Sequence, residues 1–400
     1  MMNRVSTLQA FDTSLAQLQK RQVELSETQQ QLTTGKRVNR ASDDPTAAAR
    51  AERALATSSR VDADKRGVEA SKSLMSLTES SLGDADDLLQ RARELLVAAG
   101  NPGYTDAQRQ SIATEIKGIR AQLLGIANRS DGSNGYLFGG QGSAQAPFVD
   151  APGAVQYVGT AGSAQIAGSE GLPITMDGGA TWLSARTGNG VFETKVTTST
   201  GTATIDPGRV VDPSAITGAT YDIQFTSTAG VTTYSVLKNG AATPLTNVAY
   251  QAGTAIQVDG MALTVAGQPA NGDAFQVVPS TASLSVFDTL DKAITDLSAQ
   301  GKTGSQIAQD SIMNLRNIDQ GMSRLQVARS DAGVTLNRID GVNDRLDGQK
   351  LAAETEKSNA EDLDMVQAIS DFQNKQSGYD AALKSYSMVQ HLSLFQYLNA

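Results

Sequence analysis

Apolar residues recur along both ends of the chain in alternating steps of three and four. Leu8, Phe11, Leu15, Leu18, Gln22, Leu25, Gln29 and Leu32 share one face of a helix, as a coiled-coil seam requires. A second seam advances by sevens through Val61, Val68, Met75, Leu82, Leu89 and Leu96, and a third runs Ile112, Ile116, Ile119, Leu123 and Ile126. Beyond the middle of the chain, Leu315, Ile318, Met322, Leu325, Arg329, Ala332, Leu336, Ile339, Asn343 and Leu346 keep the same alternation. A last stripe holds Val366, Ile369, Phe372, Gln376, Tyr379, Leu383 and Tyr386, with Leu392 and Phe395 further on. A sevenfold repeat sustained this long favours supercoiled helices, and a helix over 305–357 would extend about 80 Å.

The stops are equally legible. Gly35 can end the first helix, and Asp44-Pro45 reads as an N-cap followed by proline at the first helical position. Asn101-Pro102-Gly103 separates the second and third helices, and Gly301 and Gly304 precede the long C-terminal one. Gly321, Gly333, Gly341 and Gly348 lie inside that helix, each costing about 1 kcal/mol relative to alanine, so it needs partners. From about 140 to 280 the pattern changes to alternation by twos, with Gly-rich turns and eight of the ten prolines. Ile256, Val258, Asp259-Gly260, Met261, Leu263 and Val265 form the strongest hairpin signal, and Tyr221, Ile223 and Phe225 alternate likewise.

These patterns predict an α+β chain: an elongated α-helical coiled-coil rod formed by both chain ends, with an inserted all-β domain. The expected divisions are 1–44 with 358–400 as a terminal helical assembly domain, 45–140 with 282–357 as a rod, and 141–281 as the outer β-rich domain. Closing a loop of about 350 residues costs roughly 5 kcal/mol, against about 1.5–3 kcal/mol for each Leu or Phe buried. The two terminal helices cover only part of each other, so their completion is expected from neighbouring subunits.

Composition removes most chemistry. The chain has no cysteine and one histidine, His391, which excludes disulfides, thiolate metal sites and multi-histidine metal sites. A net charge of -9 disfavours a nucleic-acid or anionic-lipid surface. Aromatic residues make up only 5% of the chain, so interfaces between its helices must be long and shallow. No apolar run reaches the roughly 20 residues of a membrane span. Asp84, Asp86 and Asp87 lack a calcium-loop spacing, Asp43 and Asp44 fit a helix start, and Gly139–Gly142 lacks the Lys-Ser/Thr ending of a phosphate loop. Lys36, Arg37 and Arg40 read as a polar turn. No catalytic residue, metal site or cofactor is expected.

The run Leu32-Thr33-Thr34-Gly35-Lys36-Arg37-Val38-Asn39-Arg40-Ala41-Ser42-Asp43-Asp44-Pro45 resembles the N-terminal signature of bacterial flagellins and their hook-associated relatives. Leu89–Leu95 resembles the inner-rod segment of that family, although Leu96-Val97-Ala98 departs from it, so immune-receptor binding is not carried over. The ending from Asp364 to Leu398, and Tyr136–Gly140 with Ala146-Pro147-Phe148, resemble the members that join hook to filament. The resemblance implies a structural adaptor forming a ring-like axial layer of the bacterial flagellum, secreted without signal cleavage by the flagellar type III apparatus. Its implied partners are other copies of itself, the other hook-associated junction protein, flagellin, and an export chaperone. The implied chaperone-binding residues are Phe372, Tyr379, Leu383, Tyr386 and Phe395, within an assembly stripe that also takes in Leu8 to Leu32 and Val366 to Leu392. The runner-up is flagellin, the filament subunit itself. A type III translocator would need membrane-inserting segments that the sequence lacks. Limited proteolysis tests completion by neighbours: roughly 40 residues should be lost quickly from each end of the monomer and resist in the assembly. Equal protection in both states would refute it.

Overall fold

The computed structural model describes residues 7–398 apart from 144 and 167–170; for residues 7–10 and 389–398 the backbone alone is described. Five long helices carry the chain ends: α1 (Thr7–Thr34), α2 (Pro45–Ala99), α3 (Asp106–Ala127), then, after the β region, α6 (Gly304–Glu361) and α7 (Met365–Leu398). The chain divides into two compact units, one made of its ends up to residue 66 and from residue 343, the other of residues 67–342.

In the end unit, α1 packs against α7, and the start of α2 lies beside the end of α6. Asp62 pairs with Lys350 at 2.7 Å, and Lys65 pairs with Asp347. Three residues forward on one helix therefore meet three residues back on the other, which fixes an antiparallel register. In the second unit Lys72–Asp340 (2.7 Å), Glu79–Arg329 (2.6 Å) and Arg93–Asp319 (2.7 Å) run the same way. Each pair is partly exposed and stabilises little by itself. Their contribution is to alignment.

The second unit buries every member of the seam from Val61 to Leu96 that falls within it, among them Met75, Leu82 and Leu89. Of these, Leu82, Leu89 and Leu96 meet Ile116, Ile119 and Leu123 of α3, Phe287 and Leu290 of α5 (Val286–Ser298), and Ile318 and Leu325 of α6. Thr105 and Gln108 form a capping box that starts α3, and the Ser285 hydroxyl accepts from Asp288 N to start α5. Along α6 the sequence seam needs one correction. Ile318, Leu325, Ala332, Ile339 and Leu346 are buried as expected, but their companions are Ala328 and Val342, not Arg329 and Asn343. The apolar residue one position earlier takes the inward site, and Arg329 reaches out to Glu79. Gly321 is buried facing α5, where an added Cβ would come to 3.4 Å from Val286.

Between the helices, the hairpin β1 (Phe148–Ala151) and β2 (Ala154–Tyr157) and the short α4 (Gly178–Trp182) fold onto the helical core. Trp182 stacks on Phe287 at 5.8 Å and stands edge-on to Phe138 at 5.5 Å, fully buried. A two-stranded neck, β3 (Ala185–Arg186) with β14 (Ala282–Leu284), then leads to a separate all-antiparallel module.

That module holds β4 (Phe192–Thr198), β5 (Thr204–Ile205), β6 (Arg209–Val210), β7 (Tyr221–Thr228) and β8 (Val231–Lys238). It continues through β9 (Ala241–Ala242), β10 (Val248–Ala249), β11 (Ala255–Val258), β12 (Met261–Ala266) and β13 (Ala274–Pro279). One sheet has the order β10-β8-β7-β13-β4, with β9 on β8; the other is β11-β12-β5, with β6 on β12. Tyr221, Ile223, Phe225, Phe275 and Val277 face Ile205, Ile256, Leu263 and Val265 in one closed core. The Asp259-Gly260 turn is as expected: Val258 pairs Met261, and both turn residues have positive φ, 41° and 77°. The module rests on α6 through two buried polar side chains. Gln309 bonds both the N–H and the carbonyl of Ile205, and the Arg316 guanidinium donates to the Thr194 carbonyl at 3.1 Å and to Glu193 at 3.3 Å.

Within the module Asp273 is buried, and its carboxylate accepts from Thr200 N and Oγ1, Gly201 N and Ala270 N. Burial works to raise its pKa, but these donors outweigh it and hold the carboxyl below its usual range. Its stabilisation is therefore present at neutral pH and lost as acid protonates the group. Replacing Asp273 with Ala should destabilise the module by about 3 kcal/mol, seen as earlier loss of near-UV tyrosine signal, while Trp182 fluorescence in the helical core unfolds as before.

Candidate assembly surface

The two chain ends meet. Phe11 and Tyr386 rings lie 5.4 Å apart, Lys375 Nζ donates to Thr28 Oγ1 at 2.8 Å, and Gly378 leaves room for Arg21. Leu18 is buried in this seam, and Leu25, Leu32, Phe372, Tyr379 and Tyr386 are half-buried. The remaining described members of the stripe are left largely open: Phe11, despite its contact with Tyr386, and Leu15 stay more than a third exposed, Ile369 and Leu383 more than two fifths, and Val366 is 83% exposed. Met365 and Met388 extend the same open surface. The side chains of Leu8, Leu392, Phe395 and His391 lie outside the described residues. Thus α7 carries more apolar surface than α1 covers.

Beyond the pair, both ends of the chain break at one level. Gly35 ends α1 with φ 70°, its N–H donating to Gln31 O. Towards the C-terminal end, α6 stops at Glu361, and Asp364 starts α7 by accepting from Val366 and Gln367 N–H. The two breaks are stitched together: Arg37 N donates to Glu361 O (2.7 Å), Leu363 N to Gly35 O (3.0 Å), and Lys36 pairs with Glu361 at 3.1 Å. The Arg37 guanidinium donates to Ala360 O at 2.8 Å and to Asp44 at 3.2 Å. A cation thus sits at the negative end of α6 while it pairs the carboxylate that caps α2. The basic cluster read as a turn is half of a clasp.

Asp44 Oδ1 accepts from Thr46 N and Ala47 N. The Ala47 bond, then the Thr46 hydroxyl and Arg37, hold its carboxyl down to about 2. Asp43 is likewise held low, chiefly by the Arg40 N–H. The helix expected over 305–357 runs on to Glu361, so the break falls a few residues later, at 362–364, where Asp364 caps α7.

The other candidate chemistry resolves into structure. Asp84 pairs with Arg129 at 3.1 Å, and Gly140 is held by the Met176 carbonyl in a loop. Among the described residues no acidic or histidine cluster could hold a metal, and no helix is long and apolar enough to cross a membrane.

Paired helical chain ends carrying an inserted β module define an α+β scaffold of structural, not catalytic, character. The match to known families agrees. Residues 5–143 fit the bacterial flagellin N-terminal helical region, 315–398 the bacterial flagellin C-terminal helical region, and 193–279 the D2-like domain of flagellar hook-associated protein 1. The chain belongs to the flagellin family. It is 24% identical over 98% of its length to flagellar hook-associated protein 3 of Escherichia coli, covering 99% of that protein. Among solved structures it is similar to the flagellar junction protein FlgL from Legionella pneumophila (27% identity, TM-score 0.64, 69% of this chain and 94% of that one). It is also similar to FlgL of Xanthomonas campestris (29%, TM-score 0.68, 77% and 99%). The chain is a hook-associated structural component of the bacterial flagellum and not an enzyme.

Because Asp44 is depressed, the capped start of α2 is intact above the ordinary carboxylate range and frays as pH falls towards about 2. Asp44→Ala should reproduce that fraying at neutral pH, with faster hydrogen exchange at Thr46, Ala47 and Ala48. Unchanged exchange there would refute the clasp.

Proposed function

We propose that the chain is the adaptor between flagellar hook and filament, assembling with copies of itself into a ring-like axial layer. The similarity over nearly the whole chain to hook-associated protein 3, which extends through the β module, carries this reading. The open apolar surface of α7 supports it, since Val366, Ile369 and Leu383 need a cover that α1 does not supply. On this reading residues 1–44 and 358–400 form the assembly layer, 45–140 and 282–357 the rod, and 141–281 the outer domain. The neighbours along the axis are the other hook-associated junction protein and flagellin. Before secretion by the flagellar type III apparatus, an export chaperone occupies Phe372, Tyr379, Leu383, Tyr386 and Phe395.

Ile369→Asp with Leu383→Asp should abolish junction assembly and motility in a strain relying on this protein, with Trp182 fluorescence unchanged. Full motility in that variant would sink the assignment of these residues. Purified protein added to filament seeds should not elongate them; elongation would make it a filament subunit instead.

A further inference from the structure

Nine Asn-Gly or Asp-Gly steps occur in the chain, the sequences in which a backbone nitrogen most readily attacks the preceding side chain. Glycine leaves the attacking nitrogen unshielded. Eight of the nine have that side chain fastened. Asp131 accepts from Ser133 and Gly135 N–H, Asp177 from Gly162 and Ala180 N–H, and Asp259 from Tyr221 and Lys238. Asp340 and Asp347 are held by Lys72 and Lys65. Asn189 accepts from Val191 and Phe192 N–H and donates to two carbonyls, Asn239 accepts from Thr220 N–H, and Asn271 from Ser227 N–H.

Asn134 is the exception. It is exposed, in the left-handed region at φ 68°, and its carboxamide has no hydrogen-bond partner among the described residues. The Gly135 N–H points at the Asp131 carboxylate at 2.8 Å, a base already in contact with the proton that must leave. We infer that Asn134-Gly135 is a site of spontaneous deamidation, selective over the other Asn-Gly steps. Gly135 N bonds to Asn134 Cγ, its proton passes to Asp131, and ammonia departs carrying that proton. Water then opens the cyclic imide at either carbonyl, so that the net change is asparagine plus water to aspartate or isoaspartate plus ammonia. No oxidant or cofactor enters. The product adds a negative charge, and in the iso form an extra backbone atom, to the loop leading directly into buried Leu137 and Phe138.

The test is peptide mapping of the full chain aged in water labelled with heavy oxygen. Label should enter Asn134 at least roughly fivefold faster than Asn189, Asn239 or Asn271, the factor for breaking one hydrogen bond before reaction. Earlier or equal conversion at any of those three overturns the proposal. Asn134→Gln should lose the signal at that peptide while Trp182 fluorescence shows the helical core intact; label still entering there would also overturn it. A rate level across neutral pH fits proton removal by Asp131, whereas one rising in proportion to hydroxide overturns that role.

Discussion

Helices with a continuous apolar stripe and interior glycines cannot stand alone, and here the partners come from opposite ends of the chain. The rest of the structure depends on that antiparallel pairing. Small residues in the seams, such as Ala85, Ala92, Ala328 and Ala332, bury little area each, so stability accumulates over length and not at one anchor. Such a seam is easily slipped by one turn. The ion pairs down its flanks oppose slippage, since a shift would separate opposite charges at every level together.

Bulky packing is concentrated where more than two helices meet. Trp182, Phe138, Phe148 and Phe287 come together against α3 and α5, where a shallow two-helix seam would have no room for them. The β module keeps a second aromatic core of its own. Between these two cores the contact with α6 includes buried polar groups, Arg316 and Gln309, bonded to backbone atoms of the module. Polar docking of this kind fixes orientation by direction of hydrogen bonds more than by area.

Much of this was readable from residues alone because periodicity reports directly on which face is covered. The seven-step seam through Met75 and Leu82, the Gly35 stop, the Asp44 cap and the Asp259-Gly260 hairpin all rest on local rules. The failures have one physical origin: they concern contacts between residues far apart in sequence. Nothing near Arg37 announces Ala360, and nothing near Arg316 announces Thr194. Val342 in place of Asn343 shows the same limit on a smaller scale, because a one-residue rotation of a helix is decided by its neighbours. At the paired chain ends, the sequence marked apolar stripes on α1 and α7 but could not say which side of α7 the first helix would cover.

The entry and exit of the β module are neighbours: Phe192 pairs with Pro279 across β4 and β13, and Ala185 with Leu284 in the neck. The chain therefore enters and leaves its insert through a neck only two strands wide, beside the polar contact with α6. A longer, shorter or wholly different head could be grafted at that neck without moving a helix. The scaffold is fixed by its fit to itself, whereas the head is free to diverge.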